Sequence, residues 1–289
     1  AELESTLATV VGTANYDVGH LMAAVGNNGN AGCIGCVCDG TEKGSGYTTS
    51  TVPVGDAFDI DFVAHEIGHQ FGANHTFSHG NEGTGVNMEV GSGITVMGYA
   101  GITPQDTHSN SIDVFHAASI AQVQTNMAGK TCPTAVAITH SAPVVNAGAD
   151  YTIPISTPFV LTGSATDANS NDILTYSWEE MDLGTSTTTI PNANATSGPL
   201  FRSYPESISP VRYFPNINSI LNGATSTPGR EIVSEILPNV ARTLNFRLTV
   251  RDNRIGGGAN DTDDMIVTVD GVAGPFTVDS QNTAVTYAA

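Results

Sequence analysis

The stretch His65–His75, HEIGHQFGANH, sets three histidines, one glutamate and one glycine at fixed intervals within eleven residues. Ile60, Val63, Ala64, Ile67 and Phe71 fall at i, i+3, i+4, i+7 and i+11, the spacing of one apolar helical face. Asp56 or Asp59 is expected to cap the start of that helix. His65 and His69, four residues apart, then stand one turn up the same side and can share one ion. Glu66 lies beside them, able to reach a water on that ion without being a ligand. Gly72 lets the chain leave the helix, because glycine tolerates the positive φ found there, and the turn returns His75 as a third nitrogen. Three imidazoles leave the fourth tetrahedral position to water, which marks a catalytic rather than a structural zinc. Zinc lowers the pKa of its water to roughly 7. Glu66 is expected to take the proton as that water attacks a peptide carbonyl and to pass it to the leaving amine, while the metal stabilises the oxyanion. A bare HExxH recurs by chance; the added glycine and third histidine at set distances make coincidence the weaker reading.

The rest of the composition limits what such a site can serve. The chain has 289 residues, with 28 acidic against 9 basic side chains and a net charge of -19. That balance argues against nucleic acid or an anionic membrane as partner, since both require clustered Lys and Arg. No apolar run is long enough to span a bilayer. The N-terminal AELESTLATVV has no basic n-region, so it does not read as a signal peptide; an exported form is expected to have lost its signal already. Abundant Gly, Ser, Thr, Asn and Asp suit a secreted, extracellular protein. Of four cysteines, three crowd into CIGCVC (Cys33, Cys36, Cys38) and the fourth is Cys132. No second CxxC completes a zinc ribbon, so two disulfides are the favoured reading, Cys38–Cys132 and Cys33–Cys36, although sequence alone does not settle the pairing.

Two textures divide the chain. Residues 1–133 mix helical and loop signals and hold six of the eight histidines between His65 and His116. Residues 134–142 read as a linker. From 143 to 271, ADYTIPIS, FVLTGSATD, ILTYSWEEM, RTLNFRLTVRDN and DMIVTVDG alternate apolar and polar residues between turn residues, the pattern of antiparallel strands in a sandwich. Residues 184–238 read as an elaborated loop with short strands. Residues 272–289 resume a strand-like pattern, as a linker or the start of a further domain.

The complete HExxHxxGxxH resembles the motif of the metzincin clan of zinc endopeptidases, in which a methionine turn lies beneath the metal. GSGITVMGYAG supplies a matching turn, with Met97 as its floor. After the third histidine stands Thr76, neither the Glu of astacins nor the Pro of serralysins. The region is similar instead to the reprolysin or adamalysin branch, particularly its secreted bacterial members. The likeness runs through YDVGH (Tyr16–His20), DFVAHEIGHQFGANHTF, the methionine turn and FHAASIAQV (Phe115–Val123). It implies an α+β catalytic domain followed by an all-β Ig-like sandwich domain. The chain departs from the family in having only 64 residues before His65, which reads either as a processed or truncated form or as a reduced N-terminal half-sheet. Cys38 and Cys132 fall where that branch places a disulfide. Tyr99, two residues after Met97, is read three ways: a fifth ligand, a transition-state donor, or a packed side chain. The resemblance further implies that Ala31–Val37 is the edge strand that pairs with substrate and that the loop Ala100–Asp113 lines the pocket beyond the scissile bond.

The other histidines read as structural. His79 is expected as a solvated loop residue, and His20, His108 and His116 as hydrogen-bonded ones, with His116 opening a helix. In the second half, Asp167, Asn169, Asn171 and Asp172 place hard oxygen ligands close together, as Ca²⁺ requires, with Arg251–Asn253 recurring nearby. The spacing departs from an EF-hand loop, and a polar turn is the competing reading. That half is similar to the PKD-like or cadherin-like sandwiches of secreted bacterial enzymes. The expected function is a secreted zinc endopeptidase acting on protein or peptide substrates. A binding or adhesion module carrying a remnant protease domain is the alternative. No oligomeric state is legible.

Overall fold

The computed structural model describes residues 2–134, 136–185, 190–280, 283 and 286. Its N-terminal part opens with α1 (Glu2–Thr6), prolonged by a π-helical turn over Leu7–Val11. A three-stranded sheet follows, built from β1 (His20–Ala23), β2 (Asn28–Asn30) and β3 (Gly46–Thr49) in the order β1-β3-β2. β1 runs parallel to β3 and β2 antiparallel to it, so β2 is an edge. The edge strand is therefore Asn28–Asn30, not the expected Ala31–Val37. Those residues turn instead, pinned by the Cys33–Cys36 disulfide, and Gly35 and Val37 donate to the carbonyls of His69 and Gln70. The second disulfide joins Cys38 to Cys132 across a sequence separation of 94, so both bridges pair as expected.

The helical run begins at Asp56 with α2 (Asp56–Phe58), passes through a π-helical segment over Asp59–Ala64, and ends in α3 (His65–Gln70). Neither expected aspartate caps it: Gly55 holds the N-cap position, Asp56 is the first helical residue, and Asp59 lies inside. The apolar stripe is only half-buried, and the side of α3 that is buried carries His65, Gly68, His69 and Gln70. Gln70 explains the inversion. Fully buried, it donates to the Gly19 carbonyl at 3.1 Å and bonds His20 Nδ1 at 2.9 Å, while His20 Nε2 meets Thr48 Oγ1 at 2.7 Å. A polar network thus fastens the helix to the sheet, because a buried amide must find partners. His20 is structural, as its sequence context implied. α4 (Ala117–Ala128) closes this part, with the buried His116 as its N-cap accepting from Ala118 N.

The remainder is β-rich. It contains β4 (Val144–Asn146), β5 (Tyr151–Pro154), β6 (Phe159–Thr162), β7 (Ser164–Thr166), β8 (Thr175–Glu180), β9 (Val211–Phe214), α5 (Ile217–Leu221), β10 (Ser226–Pro228), β11 (Val233–Ile236), β12 (Arg242–Arg251) and β13 (Asn260–Asp270). A four-stranded sheet runs β5-β13-β12-β8, and β4-β7, β6-β9 and β10-β11 form three separate two-stranded pairs. The expected all-antiparallel order is corrected at one place, since β5 pairs parallel with β13. Alternation in β12 places Leu244, Phe246, Leu248 and Val250 in the core, against Trp178, Phe159 and Phe214. Each such side chain contributes about 1.5–3 kcal/mol when removed from water. Gly271–Ser280 carries no strand, contrary to the pattern read there, and part of 281–289 lies outside the described residues.

The β-rich part is bonded to the helical part at several points. Ala117 N donates to Glu179 Oε2 at 2.9 Å, and Arg251 Nη2 to the Phe115 carbonyl at 3.2 Å. Arg230 N and Glu231 N donate to the carbonyls of Thr107 and Asp106. Gly184 exchanges bonds with Asn81 and Asn87.

Candidate metal centre

His65, His69 and His75 converge on one point. Their Nε2 atoms stand 3.2, 3.1 and 3.0 Å from one another. Each Nδ1 is committed elsewhere: His65 to the Val96 carbonyl at 2.7 Å, His69 to the Ala73 carbonyl at 2.7 Å, and His75 to both oxygens of Glu82 at 3.0 Å. Carbonyls and carboxylates accept and do not donate, so the ring proton sits on Nδ1 and the neutral ring turns its Nε2 lone pair inward. Burial holds His65 down to about 3 and His69 to about 4, reinforced by the neighbouring imidazoles. Three lone pairs facing one another repel unless a cation lies between them. Zinc–nitrogen bonds of about 2.0–2.1 Å would set tetrahedral ligands about 3.3–3.4 Å apart, within a few tenths of an ångström of the spacing found here.

The local backbone makes this geometry. Gly72 (φ +113°) ends the helix: its N–H bonds the His69 carbonyl, and Ala73 N–H bonds that of Gly68, the paired closure of a Schellman turn. That turn delivers the Ala73 carbonyl to His69 and redirects the chain toward His75. Below, Met97 is fully buried, and Gly98 N closes a turn on the Thr95 carbonyl. A Cβ on Gly68 would stand 2.6 Å from Met97 Sδ and 3.0 Å from the Phe115 ring, so the methionine turn reaches the helix only because residue 68 has no side chain. Gly68→Ala is expected to lower the unfolding free energy by about 1–3 kcal/mol through overpacking, measured by urea denaturation. Wild-type stability in that variant would show that the turn is free to retreat.

Glu66 is half-buried, and burial raises its carboxyl to about 7, partly offset by a hydrogen bond from the Ala31 amide. Across from it, Gly29 in β2 comes so close that a Cβ there would lie 2.3 Å from Glu66 Oε1. Two cavities meet at Gly29, Glu66 and Tyr99. One, of about 410 Å³, runs along Asn30–Ile34 to His69, His75 and Glu82. The other, of about 570 Å³, runs over Asn28, Phe62 and His65 into the loop residues Ala100–Ile102 and Ser109–Ser111. Tyr99 packs against His75 at 4.5 Å, Phe77 at 4.6 Å and His65 at 5.4 Å. Burial, then the charges of Glu66 and Glu82, raises its hydroxyl to about 12, so it keeps its proton.

Among the other predicted residues, His108 is exposed and bonded to the Asn110 carbonyl. His79 is not the solvated residue expected, being half-buried with its Nδ1 enclosed. The acidic group of the β-rich part also differs from expectation. Asp167 and Asp172 come together with Asp252, whereas Asn169 Oδ1 accepts from Ser141 N and Asn171 is exposed. Arg254 grips Asp172 at 3.1 Å, and His140 Nε2 lies 3.2 Å from Asp252, so other side chains already face two of the three carboxylates. Sequence reasoning missed Glu82 and Glu89. Neither belongs to a spaced motif, and only the folded chain brings Glu82 to His75 and Glu89 to Thr76, the residue after the third histidine.

Residues 1–127 match the family model of metallo-peptidase family M12B, reprolysin-like. No curated protein matches the chain significantly. The match supports a metzincin-like reprolysin domain in this segment, with the three-histidine group of a zinc metallopeptidase.

Proposed function

We propose that this chain is a secreted zinc endopeptidase. Residues 1–133 would form its catalytic domain, 134–142 a linker, and 143–271 an Ig-like sandwich that accompanies it. The observation that carries the reading is the hydrogen bonding of the three rings, each of which spends its one proton on Nδ1 and leaves Nε2 free to bind a metal. Two disulfides suit an oxidising, extracellular setting.

Bound zinc supplies a Lewis acid that makes water nucleophilic near neutral pH and polarises a carbonyl. The chain supplies the rest. Glu66, held by the Ala31 amide on the wall of the cleft, receives the proton from the attacking water and returns it to the departing nitrogen. The free edge of β2 offers its backbone to an extended peptide, which would lie across the two cavities on either side of Glu66. Tyr99 keeps its hydroxyl proton and stands beside two ligand rings, which suits a donor to developing negative charge.

The test is turnover of an added protein. Purified protein is expected to carry one zinc and to cleave casein or gelatin, to lose cleavage on treatment with a chelator, and to recover it with added zinc. Stoichiometric binding without cleavage, insensitive to chelator, would instead favour a non-catalytic adhesion module.

A further inference from the structure

We propose that Glu82 is a positioning residue that sets how tightly the three-histidine centre holds zinc, and that the β-rich part fixes it there through Gly184. This rests on the zinc reading above. The three ligand rings are not supported alike. His65 and His69 lean on main-chain carbonyls that belong to the methionine turn and the helix exit. His75 alone leans on a carboxylate, with both Glu82 oxygens 3.0 Å from Nδ1. An anionic acceptor draws the Nδ1 proton more strongly than a carbonyl does, and so makes Nε2 the better donor to a metal. It also fixes the plane of the most exposed of the three rings.

Glu82 sits on an exposed loop, and a side chain there positions nothing unless the loop is held. The holding comes from the far half of the chain. Asn81 Nδ2 donates to the Gly184 carbonyl at 2.6 Å, and Gly184 N donates to the Asn87 carbonyl at 2.8 Å. Asn87 in turn donates from Nδ2 to the carbonyls of Phe77 (2.9 Å) and His75 (3.3 Å). The residues on both sides of Glu82, and His75 itself, are therefore tied to one glycine just beyond β8. The contact is close: a Cβ on Gly184 would fall 2.9 Å from Ser78 Cβ and 3.0 Å from the Asn87 carbonyl oxygen. Any side chain at 184 must push this loop away from the β-rich part. Zinc retention and the seating of the β-rich part are thereby coupled.

The experiment uses the full chain and measures the zinc dissociation constant by competition with a chromophoric chelator, alongside thermal unfolding of the zinc-free protein. Glu82→Ala is expected to weaken zinc binding about 10- to 100-fold, with zinc-free unfolding within a degree or two of wild type. Glu82→Gln, which keeps an acceptor and loses the charge, is expected to weaken it by less. Gly184→Val is expected to weaken binding in the same direction. Because both changes act through one contact, the double variant should bind about as weakly as Glu82→Ala alone. A dissociation constant within twofold of wild type in Glu82→Ala overturns the positioning role. Strict additivity in the double variant overturns the link to Gly184. A wild-type chain that takes up no zinc overturns the zinc centre, and the proposal with it.

Discussion

Glu66→Ala is expected to lower kcat/KM for casein about 10²- to 10⁴-fold while one zinc per chain remains bound, since a positioned general acid–base contributes on that scale. The geometry separates the two effects. The rings are held through their Nδ1 atoms by Val96, Ala73 and Glu82, and none of those bonds involves Glu66. Removing its carboxylate leaves the three rings' supports in place and removes the proposed proton carrier. Burial keeps that carboxyl near neutrality, at about 7, where it can both accept and give a proton at working pH. Cleavage by Glu66→Ala at wild-type rate would sink this assignment. Loss of zinc together with activity would mean that Glu66 supports the metal.

Glu89→Ala is expected to lower the unfolding free energy by about 3–5 kcal/mol, because it takes the acceptor from four buried donors, each costing about 1–3 kcal/mol when left unsatisfied and partly relieved by relaxation. Glu89 is enclosed, and its two oxygens gather four donors. Thr76 Oγ1 (2.5 Å) and Thr95 Oγ1 (2.6 Å) bond Oε2, and the amides of Ile94 (3.0 Å) and Thr95 (3.1 Å) bond Oε1. One carboxylate thus joins the residue after the third histidine to the segment that leads into the methionine turn. Thr76 N also donates to the Met97 carbonyl, so the clamp spans both sides of the site. Removing it leaves four buried donors without an acceptor, each of which costs free energy. Urea unfolding of the zinc-free protein measures the loss, and a change under 1 kcal/mol would show that water replaces the carboxylate. Glu89→Gln should fall between, because its amide group meets donors with a donor.

Particular residues show where sequence reading succeeds and where it stops. HEIGHQFGANH was legible because a helix and its exit are local: 3.6 residues per turn put His65 over His69, and Gly72 can only be a turn there. The long strands β12 and β13 were legible for the same reason, since a period of two is visible within one segment. The edge strand was not. Asn28–Gly29–Asn30 has neither β-branched nor aromatic residues, and it is a strand because β3 offers it partners and because glycine at 29 admits Glu66. The helix cap failed similarly: Gly55 took a place that either aspartate could have filled, without any side-chain bond. In the acidic group, Asp252 replaced Asn169 and Asn171 because the loop after β12 folds over the one before β8, a contact across some 80 residues.

By itself, then, the amino-acid sequence determined the grouping of three histidines, the glutamate beside them and the turn between them, all of which depend on neighbours a few positions away. Tertiary structure alone decided what holds them. Glu82 behind His75, Glu89 between Thr76 and the methionine turn, Gly68 above Met97, and Gly184 against the Asn81–Asn87 loop all act across contacts that no local period encodes. A buried polar atom takes whichever partner the fold brings within 3 Å, and that choice is made by packing rather than by spacing.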